Sequence, residues 1–144
     1  MEIDTVLVPI DGTRAAMDAV EYGIAIAGRY DASVHALYLL GENAAAAIEE
    51  GSVQADAVAD RGEHIMAEVR SMADGTPIDH SSACGFSASR LSQHPGTVIV
   101  DIAETLGVGI VVVPRQPITG ESDAVIEKAA EYVLAHASQP VLSV

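Results

Sequence analysis

Three stretches of this chain put side chains capable of binding chemistry where a turn would present them. The apolar run Thr5-Val6-Leu7-Val8-Pro9-Ile10 breaks into Asp11-Gly12-Thr13, and Val108 to Val113 breaks into Pro114-Arg115-Gln116-Pro117. The Asp11 carboxylate can accept hydrogen bonds from a ligand or from the N–H groups of a following helix, and the Arg115 guanidinium can grip an anion. The third stretch, from Gly85 to Gly96, carries three serines with Arg90 and His94, a set able to recognise a small anion or a protein partner. No acid stands beside its serines and histidine to orient a catalytic triad, so it does not read as catalytic. Five scattered histidines show no metal-ligand spacing, and the lone Cys84 can form neither an internal disulfide nor a cysteine-rich metal site. Cys84 reads as a small buried residue.

The elements that must position these residues follow from periodicity. Residues 5–10 are too continuously apolar for a half-exposed strand and read as a central strand covered on both faces. Ala16, Val20, Ile24 and Ala27 recur at helical spacing and predict a first helix ending at Gly28. Ser33 to Leu40 predicts the second strand, and Ala55, Val58, Gly62, Ile65, Val69 and Met72 mark a second helix with a narrow apolar stripe. Ile78 to Ala83 is a more polar strand suited to a sheet edge. Val98 to Leu106 predicts a third helix, Val108 to Val113 a second strongly buried strand, 122–137 a fourth helix, and Pro140 to Val144 a last apolar strand. Strands alternating with helices imply parallel pairing through right-handed crossovers. The expectation is a three-layer α/β sandwich with five strands and four helices, one domain over residues 1–144. Its crevice would lie beyond the carboxyl ends of strands one and four, where strand order reverses.

Charge narrows the partners. Twenty-one Asp and Glu oppose seven Lys and Arg, a net charge of −14, and Lys128 is the one lysine. Nucleic acids and anionic membranes are held by clusters of Lys and Arg, which this chain lacks, so both are excluded as partners. Apolar runs such as Ile110 to Pro114 are far short of the ~20 residues that span a bilayer, and Met1-Glu2-Ile3-Asp4 lacks a basic signal start. A cytoplasmic location is expected. Many carboxylates with almost no lysine suit a halophilic source, where concentrated salt screens the self-repulsion.

Val6-Leu7-Val8-Pro9-Ile10-Asp11-Gly12-Thr13 resembles the opening of the universal stress proteins. His35-Ala36-Leu37-Tyr38, the run Ala130 to Ala137 and the closing Pro140-Val141-Leu142-Ser143-Val144 are similar to the family's second strand, last helix and dimer-forming last strand. The resemblance covers nearly the whole chain and implies a Rossmann-like, adenine-nucleotide α-hydrolase-like sheet in the order 3-2-1-4-5. It also implies site residues: Asp11 at the adenine-contacting aspartate, Pro9 as its neighbour, and Leu40 at an apolar residue that packs on the base. Nucleotide-binding members carry a G-x2-G-x9-G-[S/T] signature, whose glycines let bare amides approach phosphates. Here Pro114, Pro117, Glu127 and Lys128 occupy those positions. Proline offers no N–H, and a carboxylate at 127 repels phosphate. The Gly85 to Gly96 loop is also longer and more polar than the family suggests.

The leading expectation is therefore a non-enzymatic, homodimeric stress-response protein that acts through protein contacts, with no bound cofactor and no tight ATP binding. An exposed last strand is best concealed by pairing with its copy across a two-fold axis. The alternative is an ATP- or AMP-binding member with at most weak ATPase activity, its phosphate site rebuilt from Arg115, Lys128 or the serine-rich loop. A flavin carrier of the flavodoxin kind shares the architecture but calls for a hydroxyl-rich phosphate loop, which Asp11-Gly12-Thr13-Arg14 is not.

Overall fold

The computed structural model describes residues 2–40, 51, 55–84, 95–115 and 125–144. Five parallel strands, β1 (Thr5–Ile10), β2 (Ser33–Leu40), β3 (Ile78–Cys84), β4 (Ile110–Val113) and β5 (Val141–Ser143), form one sheet in the order β3-β2-β1-β4-β5. The helices α1 (Arg14–Tyr30), α2 (Ala55–Ser71), α3 (Pro95–Leu106) and α4 (Val125–His136) connect them. The polar strand β3 does lie at an edge, as its composition requires.

Alternation along each strand feeds two cores. Val6, Val8, Ile10, Ala36 and Tyr38 face α1 and α2, where they meet Ala16, Val20, Ile65 and Val69. Leu7, Leu37, Leu39, Val111 and Val113 point the other way, against Ile99 and Ala103 of α3 and Val133 of α4. A strand buried on both faces has no polar face to show, which is why β1 and β4 are apolar without interruption. Gly23 brings α1 down onto the sheet: a Cβ there would lie 2.6 Å from Val8 Cγ2. Side-chain branching at that position would force the helix off β1.

Element ends depart from the sequence expectation for identifiable reasons. Helix α1 runs past Gly28 to Tyr30, and Asp31 caps it in the left-handed region (φ 55°) with its N–H on the Ala27 carbonyl. Arg29 in that last turn complements the negative end of the helix dipole. Helix α3 begins at Pro95 rather than Val98, because a proline in the first turn gives up an N–H that no helical carbonyl would have accepted. Gly96 therefore belongs to α3 and not to the preceding loop. It lets α3 close on α4, since a Cβ there would stand 2.6 Å from Tyr132. Strand β4 starts at Ile110, two residues late, because Val108 and Gly109 are held by Ala103 and Thr5 carbonyls. The expected helical residues 122–124 and the serine-rich loop residues 85–94 lie outside the described residues.

Candidate functional site

The crevice is built from two exits. Strand β1 pairs with β4, Val6 opposite Ile110 and Leu7 opposite Val111, so the turns leaving their carboxyl ends are neighbours. At the first exit, the Thr13 N–H donates to Asp11 Oδ1 at 3.0 Å and the Thr13 hydroxyl donates to the same oxygen at 2.6 Å. Thr13 Oγ1 in turn accepts the Ala16 N–H at 3.3 Å, which makes Thr13 the N-cap of α1. Of the two roles open to the Asp11 carboxylate, contact with a ligand or a direct cap on the helix, the cap is taken by Thr13. The Asp11 carboxylate instead closes the turn and orients the threonine that caps. Gly12 sits between them at φ +83°, a conformation that suits glycine.

The other expected residues fall as follows. Pro9 is buried within β1, opposite Leu37. Leu40 lies on β2 two residues beyond the Ile10–Tyr38 pair, half-buried against the α1/α2 core, so it overhangs the end of β1. Pro114 is buried immediately after β4, and Arg115 is exposed. The Arg115 N–H donates to the Val144 carbonyl at 2.7 Å, while the Val144 N–H returns to Val113 at 2.9 Å. The β4–β5 ladder thus extends past β4 and takes up the first amide after Pro114. At the far side, helical backbone passes through Glu127 and Lys128 without a break, in the first turn of α4. The Lys128 side chain and residue Pro117 lie outside the described residues. Asp11, Pro9, Leu40, Pro114 and Arg115 are brought to one end of the sheet.

Sequence reasoning missed Arg61. Its guanidinium lies 3.8 Å from where a Cβ on Gly12 would stand, next to the Ile65 side chain that fills the same place at 2.9 Å. The signal was present as spacing: Arg61 precedes Ile65 of the buried stripe by one helical turn. Beside Gly12 a cavity of about 370 Å³ opens along α1 and α2, lined by Arg14, Met17, Asp18, Glu21, Glu68 and Met72. Three carboxylates against one arginine make it a poor host for an anion.

Away from the crevice, His35 on β2 shares a 2.8 Å hydrogen bond with Ser81 on β3. Partial burial pushes its pKa below the ordinary 6.5; Asp79 opposes that shift and His80 adds to it. Among the described residues, no group of three or more His, Cys, Asp or Glu could hold a metal ion. No described helix is long and apolar enough to cross a membrane.

A parallel sheet in the order β3-β2-β1-β4-β5, with its crevice at the β1/β4 switch point, defines a doubly wound α/β protein. Residues 2–144 match the model of the Universal stress protein family, and the chain belongs to that family. It is 25% identical over 142 residues to Universal stress protein MJ0531 of Methanocaldococcus jannaschii, covering 96% of this chain and 80% of that protein. Among solved structures, universal stress protein UspA from Lactobacillus plantarum superposes with a TM-score of 0.75 at 22% identity, over 100% of this chain and 99% of the other. A universal stress protein in complex with cAMP superposes with a TM-score of 0.71 at 18% identity, over 100% and 98%. At those identities the likeness is one of fold.

Proposed function

We propose that this chain is a homodimeric, non-enzymatic universal stress protein of one domain that works through protein contacts and does not hold ATP tightly. The single observation that carries the reading is the exit from β4. Pro114 has no N–H, and the N–H of Arg115 is spent on Val144. Backbone that the family signature would open with glycine is helical at Glu127 and Lys128. A triphosphate needs several converging N–H donors at such a turn, and these positions withhold them. Dimerisation through β5 is supported by that strand's place at the sheet edge with Leu142 37% exposed. A cytoplasm rich in salt suits the charge of −14.

Calorimetric titration of ATP, AMP and cAMP in concentrated KCl tests the proposal. The expected outcome is no saturable ATP binding at micromolar concentrations, and a micromolar ATP affinity overturns it. A second reading has one observation in its favour. The Pro9, Asp11 and Leu40 half of the crevice is assembled at one end of the sheet, and a structural relative was solved with cAMP. Saturable binding of AMP or cAMP without ATP would select that reading, with the adenosine side kept and the triphosphate side lost.

A further inference from the structure

One face of the β3 edge brings together a hydroxyl, an imidazole and a carboxylate. Leu37 and Leu39 of β2 and Ala83 of β3 pack toward α3 and α4. Side chains alternate along a strand, so His35 on β2 and Asp79 and Ser81 on β3 lie on that same face, nearer the strands' beginnings. The register sets Asp79 directly opposite His35, and Ser81 one pair further on, opposite Leu37. Ser81 Oγ stands 2.8 Å from His35 Nε2, and both residues are half-buried. The Asp79 carboxylate is exposed and acts on the ring through its charge. Polarity alone would satisfy an edge strand, and any one of the three supplies it. A hydroxyl held on a ring nitrogen is a narrower arrangement, that of a nucleophile with its base.

Two further features suit it to that role. Burial favours the neutral ring, so above its lowered pKa Nε2 has a lone pair with which to take the hydroxyl proton. The edge also supplies a donor. The Val34 N–H bonds to the Pro77 carbonyl at 2.9 Å, so odd-numbered residues of β3 turn their amides to β2 and even-numbered ones turn theirs to the open side. The N–H of Ser82, next to Ser81 in the chain, therefore faces outward, where no strand of the sheet lies. Negative charge developing on a carbonyl oxygen beside Ser81 would find that N–H close by.

We infer that Ser81 is an acyl-accepting nucleophile, with His35 as its general base and an activated ester or thioester as the acyl donor. In the step, Ser81 Oγ bonds to the acyl carbon as its proton passes to His35 Nε2. The bond from that carbon to the donor's oxygen or sulfur breaks, and the leaving group departs with the proton from His35. Nothing is oxidised or reduced. The product is an ester on Ser81, a covalent mark set once, which is compatible with the non-enzymatic reading above and goes beyond it. Ser82 supplies the contrast within the same strand. It is exposed and points to the opposite face, where His80 is engaged by Arg70 at 3.2 Å. Exposure alone favours Ser82, and a bound base favours Ser81.

The test treats the full natural chain with p-nitrophenyl acetate and locates the acetyl group by peptide mass spectrometry after an acid quench. The expected result is acetylation of Ser81 in clear excess over Ser82. Equal acetylation of the two, or none on Ser81, overturns the proposal. His35→Gln, with far-ultraviolet dichroism unchanged, should slow acetylation of Ser81 about 100-fold or more, and an unchanged rate overturns the role of the base. If that variant does not fold, the pH profile of the natural chain decides. A rate at Ser81 that levels off once His35 is neutral, its midpoint below 6.5, supports the pair. A rate that climbs in step with hydroxide through the alkaline range overturns it.

Discussion

The two edges of the sheet are finished differently. Strand β3 is seven residues long and would be an open invitation to another strand, but Asp79, His80 and Ser82 stand exposed along it, and Arg70 reaches from α2 to His80. Charged and polar side chains on an edge make the addition of a further strand costly. Strand β5 carries Val141, Leu142 and Ser143, with no charge and with Leu142 exposed. Shortness also blunts an edge, but it does not explain why the apolar Leu142 side chain was left in water. The difference teaches that one edge carries its own protection against a further strand, while the other lacks it and fits the proposed pairing with a copy.

The largest expected effect comes from giving β5 the finish of β3. Leu142→Lys places a charge at the centre of the proposed seam, directly against its own copy across the dyad. Two unpaired ammonium groups desolvated together should weaken self-association about 100-fold or more. The fold itself should barely notice, since the side chain is already partly in water. Sedimentation velocity checks the first half and thermal unfolding of the monomer the second. A lysine variant that remains dimeric at micromolar concentration would break the comparison between the edges.

Much of this comparison was legible in the sequence. Thr5 to Ile10 and Ser33 to Leu40 could be bounded to the residue, because each is a continuous apolar run closed by turn-forming residues. The edge position of β3 followed from Asp79, His80, Ser81 and Ser82, which no doubly covered strand could bury. Helix ends were less legible. Gly28 resembled a stop, yet the cap is Asp31, whose left-handed conformation is a property of the chain's path and not of a glycine. The site divided the same way. Asp11-Gly12-Thr13 announces a turn and a cap by composition alone. That the Arg115 amide is spent on Val144 depends on how β5 extends the ladder, and Arg61 lies beside Gly12 because α2 packs Ile65 against that turn. Both are facts of tertiary register, which no local pattern encodes.

A smaller effect belongs to the inner side of the β3 edge. Burial disfavours the charged form of His35, so below its ordinary pKa of 6.5 the unfolded chain binds more protons there than the folded one. Stability should therefore fall as pH drops from above 6.5 through the lowered folded value, and level off below it. Because the ring is only half-buried, solvent screening keeps the contribution well under about 1 kcal/mol. Urea unfolding at pH 7.5 and pH 5 should show a shallower acid loss for His35→Gln than for the natural chain. An equal loss in both would remove His35 from the account of this edge.

The smallest effect sharpens what protects β3. Arg70 Nη2 donates to His80 Nδ1 at 3.2 Å, in an exposed place where water competes for both groups. If that bond tied α2 to the edge, Arg70→Ala would loosen β3. If the charges along the strand suffice by presence alone, unfolding midpoints should move by no more than about 0.5 kcal/mol. Amide exchange along 78–84 should then stay unchanged. The second outcome is expected, because β3 is already anchored by seven residues of ladder to β2, from Ile78 opposite Val34 to Cys84 opposite Leu40. Protection of an edge and attachment of an edge are separate tasks: β3 is attached by its backbone and protected by its surface. On β5, whose ladder is short, the proposed dimer would have to perform both.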